Sequence, residues 1–276
     1  MVNTSTIDNI LLGGNGYIGS YLAQELRKTG QSLLQVDRSM NIKNLIKSGK
    51  RIFYLLGQNK PNFDSVSELK LLGKVLNGID EDVCTDFIFF SSALIYGETS
   101  VPANETDIIN PTDIYSKYKA DCEELIYRII NGTQINRKII RISNVYGRQG
   151  SHGFLSQVFN NINITNSQKN IYINGNGKQL RDFIFIDDVV KSIIAICKQG
   201  GNDIINASFG SSRSLLEVVE ILNRIGGCKY NPVLTHKHKM EIKSSFISNY
   251  KLIEKYNYCP KYGLEDGIRI SLLEYA

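Results

Sequence analysis

The sequence contains no tryptophan, five prolines and three histidines. Two of the histidines, His236 and His238, fall in a basic stretch with no carboxylate or cysteine at a useful spacing. They read as a solvated loop, and no metal site is expected. The five cysteines (Cys84, Cys122, Cys197, Cys228 and Cys259) are odd in number and include no C-x-x-C pair. That excludes a disulfide framework or zinc ribbon and fits the reduced thiols of a cytoplasmic protein. No apolar run is long enough to span a bilayer. The first apolar run leads straight into a glycine cluster, so no signal peptide is expected. Charge is not blocked either: 32 Lys and Arg interleave with 27 Asp and Glu, for a net charge of +5. This argues against nucleic acid as a partner and suits a small anionic substrate. Repeats and low-complexity tracts are also lacking.

What remains is a chain of 276 residues with 42% hydrophobic content, ample for one large domain or for one domain with a smaller appendage. Its most informative stretch is Leu11-Leu12-Gly13-Gly14-Asn15-Gly16-Tyr17-Ile18-Gly19. Ile7, Ile10, Leu11 and Leu12 precede it as a buried first strand, and Ser20 to Leu26 follow with apolar residues at helical spacing. A strand, a glycine turn and a helix in this order can cradle a pyrophosphate. Gly13 and Gly16 permit the turn and close backbone approach, Gly19 lets helix and strand pack, and Tyr17 and Ile18 open the helix whose N-terminus faces the phosphates. A second strand over Ser32–Val36 ends at Asp37, 18 residues after Gly19. An acid there binds adenine-ribose hydroxyls and favours NAD. Arg38 beside it could accept a 2′-phosphate, which keeps NADP open.

Strand-like and helix-like segments alternate through the first half, the pattern of a doubly wound parallel sheet. Only 14 residues, Arg38 to Arg51, separate Asp37 from the next strand, Ile52–Gly57. That leaves room for one short helix over Asn41–Ser48. The spacing therefore predicts a sheet that lacks, or barely has, the outer strand usually found beside the second. A loop opened by Pro61, a helix over Ser65–Asn77, a buried strand at Phe87–Phe90, a loop over 98–111, a long helix from Asp113 to Ile130 and a strand at Lys138–Ile142 follow. Beyond residue 148 the alternation becomes irregular. A helix is expected over His152–Ile162, a short strand at Ile171–Ile173, and an Asp187-Asp188 N-cap pair before a helix over Val189–Lys198. A further helix is expected over Leu215–Ile225. The expected division is residues 1–147 as the dinucleotide-binding core and 148–276 as a mainly substrate-binding region, with some segments returning to the core.

The chemistry gathers at Ser92, Tyr115 and Lys119. The i, i+4 spacing in Tyr115-Ser116-Lys117-Tyr118-Lys119 puts phenol and amine on one helix face. A phenol of pKa near ~10 is a poor base at neutral pH unless a neighbouring cation stabilises the phenolate. With that help it can take a proton from a sugar hydroxyl while hydride leaves for a nicotinamide. Ser92, at a strand C-terminus, could hydrogen-bond the same oxygen.

This assembly resembles the extended short-chain dehydrogenase/reductase family, in its nucleotide-sugar epimerase/dehydratase branch. The resemblance is carried by Gly13–Gly19, Ser91–Gly97, Pro111–Lys119, Arg141–Gly147 and Gly175–Asp188. It implies a Rossmann-like fold with a small C-terminal substrate-binding region. It implies Ser92 and Tyr115 as catalytic groups and Lys119 as the ribose-binding lysine that lowers the pKa of the tyrosine. It further implies Leu56 and Gly57 near the cofactor, Asn144 and Arg181 on the substrate diphosphate, and a homodimer paired through the Tyr115 helix. Asp182 and Asp188 read as structural caps. The chain departs from the family in its short 38–51 connection, in Leu55-Leu56-Gly57-Gln58 where a His-Leu-Ala-Ala-like run is usual, and in Lys70 where an Asn usually stands three before Gly73. The Lys239–Ser245 stretch also has no late substrate-binding arginine. Dehydratases of the branch carry Asp-Glu after the catalytic Ser/Thr. Ala93-Leu94 here cannot move a proton, which disfavours dehydration. The sequence points to C4 epimerisation of a nucleoside-diphosphate sugar through a 4-keto intermediate. An NADPH-dependent reductase of a 4-keto-6-deoxy sugar nucleotide is the alternative, and a non-catalytic dinucleotide sensor the third reading.

Overall fold

The computed structural model describes residues 6–38, 40, 42–57, 63–150, 152–159, 168–225, 229–235 and 242–275. Gln58, Pro61, Cys228, His236, His238, residues 239–241 and the end of the helix expected from His152 lie outside the described residues. The chain forms two compact units. One comprises Met1–Ile95, Pro111–Arg141 and Cys197–Ile205, and the other Tyr96–Asn110, Ile142–Ile196 and Asn206–Ala276.

The first unit begins with β1 (Ile7–Leu12), α1 (Tyr17–Arg27), β2 (Leu33–Val36), the single turn α2 (Ile42–Leu45) and β3 (Gly49–Tyr54). It continues through α3 (Ser65–Leu76), β4 (Asp86–Ser92), α4 (Ile114–Ile130) and β5 (Asn136–Ile142). β1 pairs in parallel with both β2 and β3, and β3 in parallel with β4. The six-stranded sheet runs β2-β1-β3-β4-β5, closed by the strand Asp203–Ala207. Its central strands carry near-continuous apolar runs because helices cover both faces of such sheets. Ile10, Leu12, Ile52, Tyr54, Phe87 and Phe89 form one core cluster with Leu72 and Val75 of α3 and Ile126 and Ile130 of α4.

The short connection after Asp37 behaves as its length predicts. It holds α2 and one 3₁₀ turn (Ile46–Ser48), in which Ile46 is buried. The chain then enters β3 directly, leaving β2 at the edge of the sheet among the described residues. Asp64 caps α3, its carboxylate accepting from the backbone N–H of Val66 and Ser67. Asp113 and Ser116 form a reciprocal capping box that starts α4 one residue before Tyr115.

The second unit contains β6 (Asn144–Tyr146), α5 (Ser156–Phe159), β7 (Gln168–Asn174), β8 (Leu180–Phe185) and α6 (Ile186–Ile196). The strand Asp203–Ala207 is β9, and its last two residues belong here. β10 (Ser212–Ser214), α7 (Leu215–Ile225), β11 (Lys229–Thr235), β12 (Ser244–Ser245), α8 (Tyr250–Tyr256) and α9 (Leu264–Tyr275) follow. β8 is the hub of a four-stranded sheet, parallel to β6 and β12 and antiparallel to β10. β7 and β11 form a separate parallel pair. α6 starts earlier than the sequence suggests. It grows straight out of β8 at Ile186, so Asp187 and Asp188 sit in its first turn and are not its N-cap. Acids there still favour the helix dipole, and both are engaged: Asp187 pairs with Arg148, and Asp188 accepts from the Tyr258 hydroxyl and the N–H groups of Lys261 and Tyr262. Among the described residues, no helix is long and apolar enough to cross a membrane.

Candidate active site

The glycine turn is built at the C-terminal ends of β1, β2 and β3. The Gly13 N–H donates to the Val36 carbonyl at 2.8 Å, and the Gly16 N–H to the Gly13 carbonyl at 3.0 Å. Gly13 has a φ of +87°, which L side chains rarely adopt, and a Cβ there would stand 3.1 Å from the Leu56 backbone nitrogen. At Gly19 the constraint is contact: a Cβ would lie 2.5 Å from the Gly13 carbonyl oxygen. α1 is thus pressed directly onto the turn. Gly16 caps α1 without a side-chain hydrogen bond, and the first turn, with Tyr17, Ile18 and Gly19, holds no acidic residue. An uncapped, acid-free helix N-terminus beside a turn that side chains cannot fill fits a dinucleotide pyrophosphate.

Asp37 and Arg38 follow β2 at the same edge. The Arg38 guanidinium, expected as a possible 2′-phosphate ligand, is engaged from inside the protein. Both of its terminal nitrogens bind the Glu68 carboxylate, Nη2 to Oε2 at 2.8 Å. Glu68 lies in the first turn of α3, 30 residues away, and its side chain is only 10% exposed. No local spacing in the sequence announces this partner.

Strand alternation separates the two serines that end β4. Ser91 turns inward and donates to the buried Glu123 carboxylate, whereas half-buried Ser92 accepts from the Leu94 N–H at 3.2 Å. Tyr115 and Lys119 stand one turn apart on α4, with the Lys119 Nζ 5.7 Å from the Tyr115 ring centroid. That amine is buried and donates to the Phe90 carbonyl at 2.7 Å. Burial lowers its pKa to about 8. Tyr115 behaves opposite to the sequence expectation: burial first, then the nearby Asp113 charge, pushes its pKa up to about 12. The Lys119 amine gives its hydrogen bond to the Phe90 carbonyl and not to the phenol. The same capping box that positions Tyr115 thus also sets an anion near it.

Gly57 comes within reach of this pair. A Cβ there would stand 3.5 Å from the Lys119 Nζ and 3.4 Å from the Tyr118 hydroxyl. A line of adjacent groups therefore runs from Gly13 through Leu56 and Gly57 to Lys119 and Tyr115, all within the first unit. Tyr118 was not anticipated as part of it. Its ring is buried, packs edge-on to Phe63 with centroids 4.8 Å apart, and its hydroxyl is driven well above the usual phenol range by burial.

Asn144 and Arg181 belong to the second unit. The Asn144 side-chain amide donates to the Asp182 carbonyl at 3.0 Å, stitching β6 to β8. The Arg181 Nη1 donates to the Leu180 carbonyl at 2.8 Å. Asp182 between them is fully buried and structural: it accepts from the Ser143 hydroxyl and from the N–H groups of Phe209 and Gly210. Burial raises its pKa to about 6.

Residues 58–208 match the model of the NAD dependent epimerase/dehydratase family. The chain belongs to that family. The matched segment includes Ser92, Tyr115, Lys119, Asn144 and Arg181, while the glycine turn precedes it. Among curated members, the chain is 29% identical over 184 residues to a UDP-glucuronate 4-epimerase of Thermodesulfobacterium geofontis, a match covering 66% of this chain and 56% of that protein. It is 24% identical over 308 residues to an uncharacterized UDP-glucose epimerase of Bacillus subtilis, covering 94% of this chain and 95% of the relative. Among solved structures it resembles MoeE5 in complex with UDP-glucuronic acid and NAD, with a TM-score of 0.87 and 22% identity over 97% of this chain and 98% of the other. That last likeness is one of fold.

Proposed function

We propose that this chain is an NAD-dependent C4 epimerase of a nucleoside-diphosphate sugar, acting through a 4-keto sugar. The reading is carried by one arrangement: Tyr115 one helical turn from Lys119, in the same unit as an uncapped glycine-turn helix N-terminus and the Ser92 end of β4. The family's curated members support a UDP-sugar as substrate. Tyr115 takes the C4 hydroxyl proton, and Ser92 hydrogen-bonds the same oxygen. Lys119 holds the nicotinamide ribose. The backbone of Gly13, Gly16, Tyr17, Ile18 and Gly19 holds the pyrophosphate, Asp37 the adenine ribose, and Leu56 and Gly57 line the cofactor. Asn144 and Arg181 take the substrate diphosphate. A bound NAD would supply the hydride acceptor, with return to the opposite face of the turned 4-keto sugar giving the epimer, and its ring charge would favour the phenolate. Burial raises the Tyr115 pKa to about 12 in the chain alone, so the phenolate depends on that added charge. Ala93 and Leu94 next to Ser92 offer no proton-moving group, which speaks against dehydration. The Arg38–Glu68 pair speaks against the NADPH-dependent reductase.

A homodimer paired through α4, as the family resemblance implies, belongs to the same reading. So does a cytoplasmic location, supported by the free thiols of Cys84 and Cys122. The test offers the purified protein UDP-glucuronic acid, UDP-glucose and related sugar nucleotides and follows products by proton NMR. Interconversion of C4 epimers without net change in cofactor redox state is the expected result. Stoichiometric oxidation of NADPH by a 4-keto sugar would replace it with the reductase reading. Tyr115→Phe should lower turnover by roughly 10²–10⁴-fold while leaving dinucleotide binding intact. Activity that survives this change removes Tyr115 as the base.

A further inference from the structure

We infer that Glu68, on α3, sets the cofactor preference of this protein by occupying Arg38 and so denying a 2′-phosphate its cation. The inference rests on the dinucleotide reading of the glycine turn. At the end of β2 the sequence offers contrary signals, an acid at Asp37 and a cation at Arg38. An arginine in this place can receive the extra phosphate of NADP. In the structure that arginine is already used. Its two terminal nitrogens grip both oxygens of Glu68, whose side chain is 10% exposed against 39% for Arg38. Paired fork-on-carboxylate geometry is the strong form of this interaction. It also turns the forked end of the guanidinium, with two of its five N–H donors, toward Glu68 and offsets its charge.

Charge points the same way. Asp37, Arg38 and Glu68 sum to a formal charge of −1, so a 2′-phosphate would enter a net negative setting. Glu68 therefore acts twice, by holding the cation and by repelling the competing anion, which is specificity built from a repulsive element. The 2′-hydroxyl of NAD meets no such penalty. Arg38 follows β2 at the sheet edge and reaches inward to the first turn of α3, where it meets Glu68.

The test measures dissociation constants for NAD and NADP by isothermal titration calorimetry on the full chain, without substrate. Wild type should bind NAD more tightly than NADP. Glu68→Gln keeps the side chain's size and an acceptor oxygen but removes its charge. It should tighten NADP binding roughly tenfold, the size of one charge-assisted contact, with NAD affinity changed by less than about twofold. The double variant Arg38→Leu/Glu68→Gln should lose that gain, which separates release of Arg38 from a general loosening of α3. An unchanged NADP-to-NAD ratio in Glu68→Gln, or a gain that persists without Arg38, overturns the inference while leaving the dinucleotide site standing. Failure of wild type to bind either dinucleotide overturns the reading of the site itself.

Discussion

The Lys119 Nζ donates to the carbonyl oxygen of Phe90 at 2.7 Å, while the Tyr115 ring it is expected to assist has its centroid 5.7 Å away. The amine is thus anchored to β4, two residues before Ser92, and oriented by the backbone of the strand that carries the other candidate catalytic group. Its surroundings are the rings of Phe89, Tyr115 and Tyr118, with the amine 4.8 Å from the first centroid and 5.6 Å from the last. The cost of burying a charge there shows in its lowered pKa.

Lys119 has a folded pKa of about 8 against an ordinary 10.5. Between these values the unfolded chain binds the proton and the folded chain does not, so the stability of wild type rises with pH across that window. Lys119→Met removes the titration. The stability of the variant relative to wild type should therefore decline from pH 8 to pH 10.5, by about 2–3 kcal/mol in total. Urea unfolding of the dinucleotide-free protein at pH 7.5, 9 and 10 would check this, and a difference that is flat with pH would contradict it.

Gly19→Ala tests the glycine turn without touching the proposed chemistry. The added methyl would sit 2.5 Å from the Gly13 carbonyl oxygen and 2.8 Å from the Gly14 Cα, both backbone atoms that cannot turn aside. α1 must move off the turn, at a cost of about 1–3 kcal/mol. Dinucleotide affinity should fall at least tenfold while Tyr115 and Lys119 remain in place. Calorimetric titration together with a thermal melt separates the two effects.

The Glu123–Arg141 pair lies inside the first unit, with side-chain exposures of 8% and 5%. Arg141 donates through Nε at 3.1 Å and Nη2 at 2.7 Å, and Ser91 adds its hydroxyl. Arg141→Met leaves a buried carboxylate with one neutral donor and should destabilise by about 3–5 kcal/mol. Glu123→Met/Arg141→Met, with both charges gone, should recover roughly half of that or more. Denaturant melts of the two variants decide the matter, and a double variant no more stable than the single would oppose it.

Local patterns reveal much of this protein, and pairings over long sequence separations reveal the rest. The apolar run through Leu12, the glycines through Gly19 and the 14-residue gap after Asp37 are contiguous features, so strand, turn and missing outer strand all follow from them. The α7 bounds, Leu215–Ile225, are likewise carried by an amphipathic period within the helix. The hold of Glu68 on Arg38 is different. It depends on how α3 docks, and nothing in the residues between them encodes it locally. The pKa of Tyr115 is not local either: i, i+4 spacing places Lys119 on the right face, but the burial that raises the phenol comes from the packing of the whole unit. At Asp187 and Asp188 the error was one of boundary, since β8 passes into α6 with no intervening loop.

Asp182 offers a test of the second unit. Its carboxylate is fully buried and accepts from the Ser143 hydroxyl at 2.9 Å, the Phe209 N–H at 3.0 Å and the Gly210 N–H at 2.8 Å. Asp182→Ala strands these donors and should cost about 3 kcal/mol or more. A milder change exposes the titration. Burial outweighs the donors and raises the pKa from 3.8 to about 6. A raised folded pKa means that the native state holds the proton more tightly than the unfolded chain. The stability this contributes is complete below about pH 4 and is lost as pH rises through about 6. Asp182→Asn has no such proton. Its stability deficit relative to wild type should therefore be larger at pH 4.5 than at pH 7, with other carboxylates cancelling in the difference. Urea titrations at the two pH values measure it. A deficit that grows with pH instead would mean that the hydrogen-bond donors, Ser211 N–H among them, govern this carboxylate, not burial.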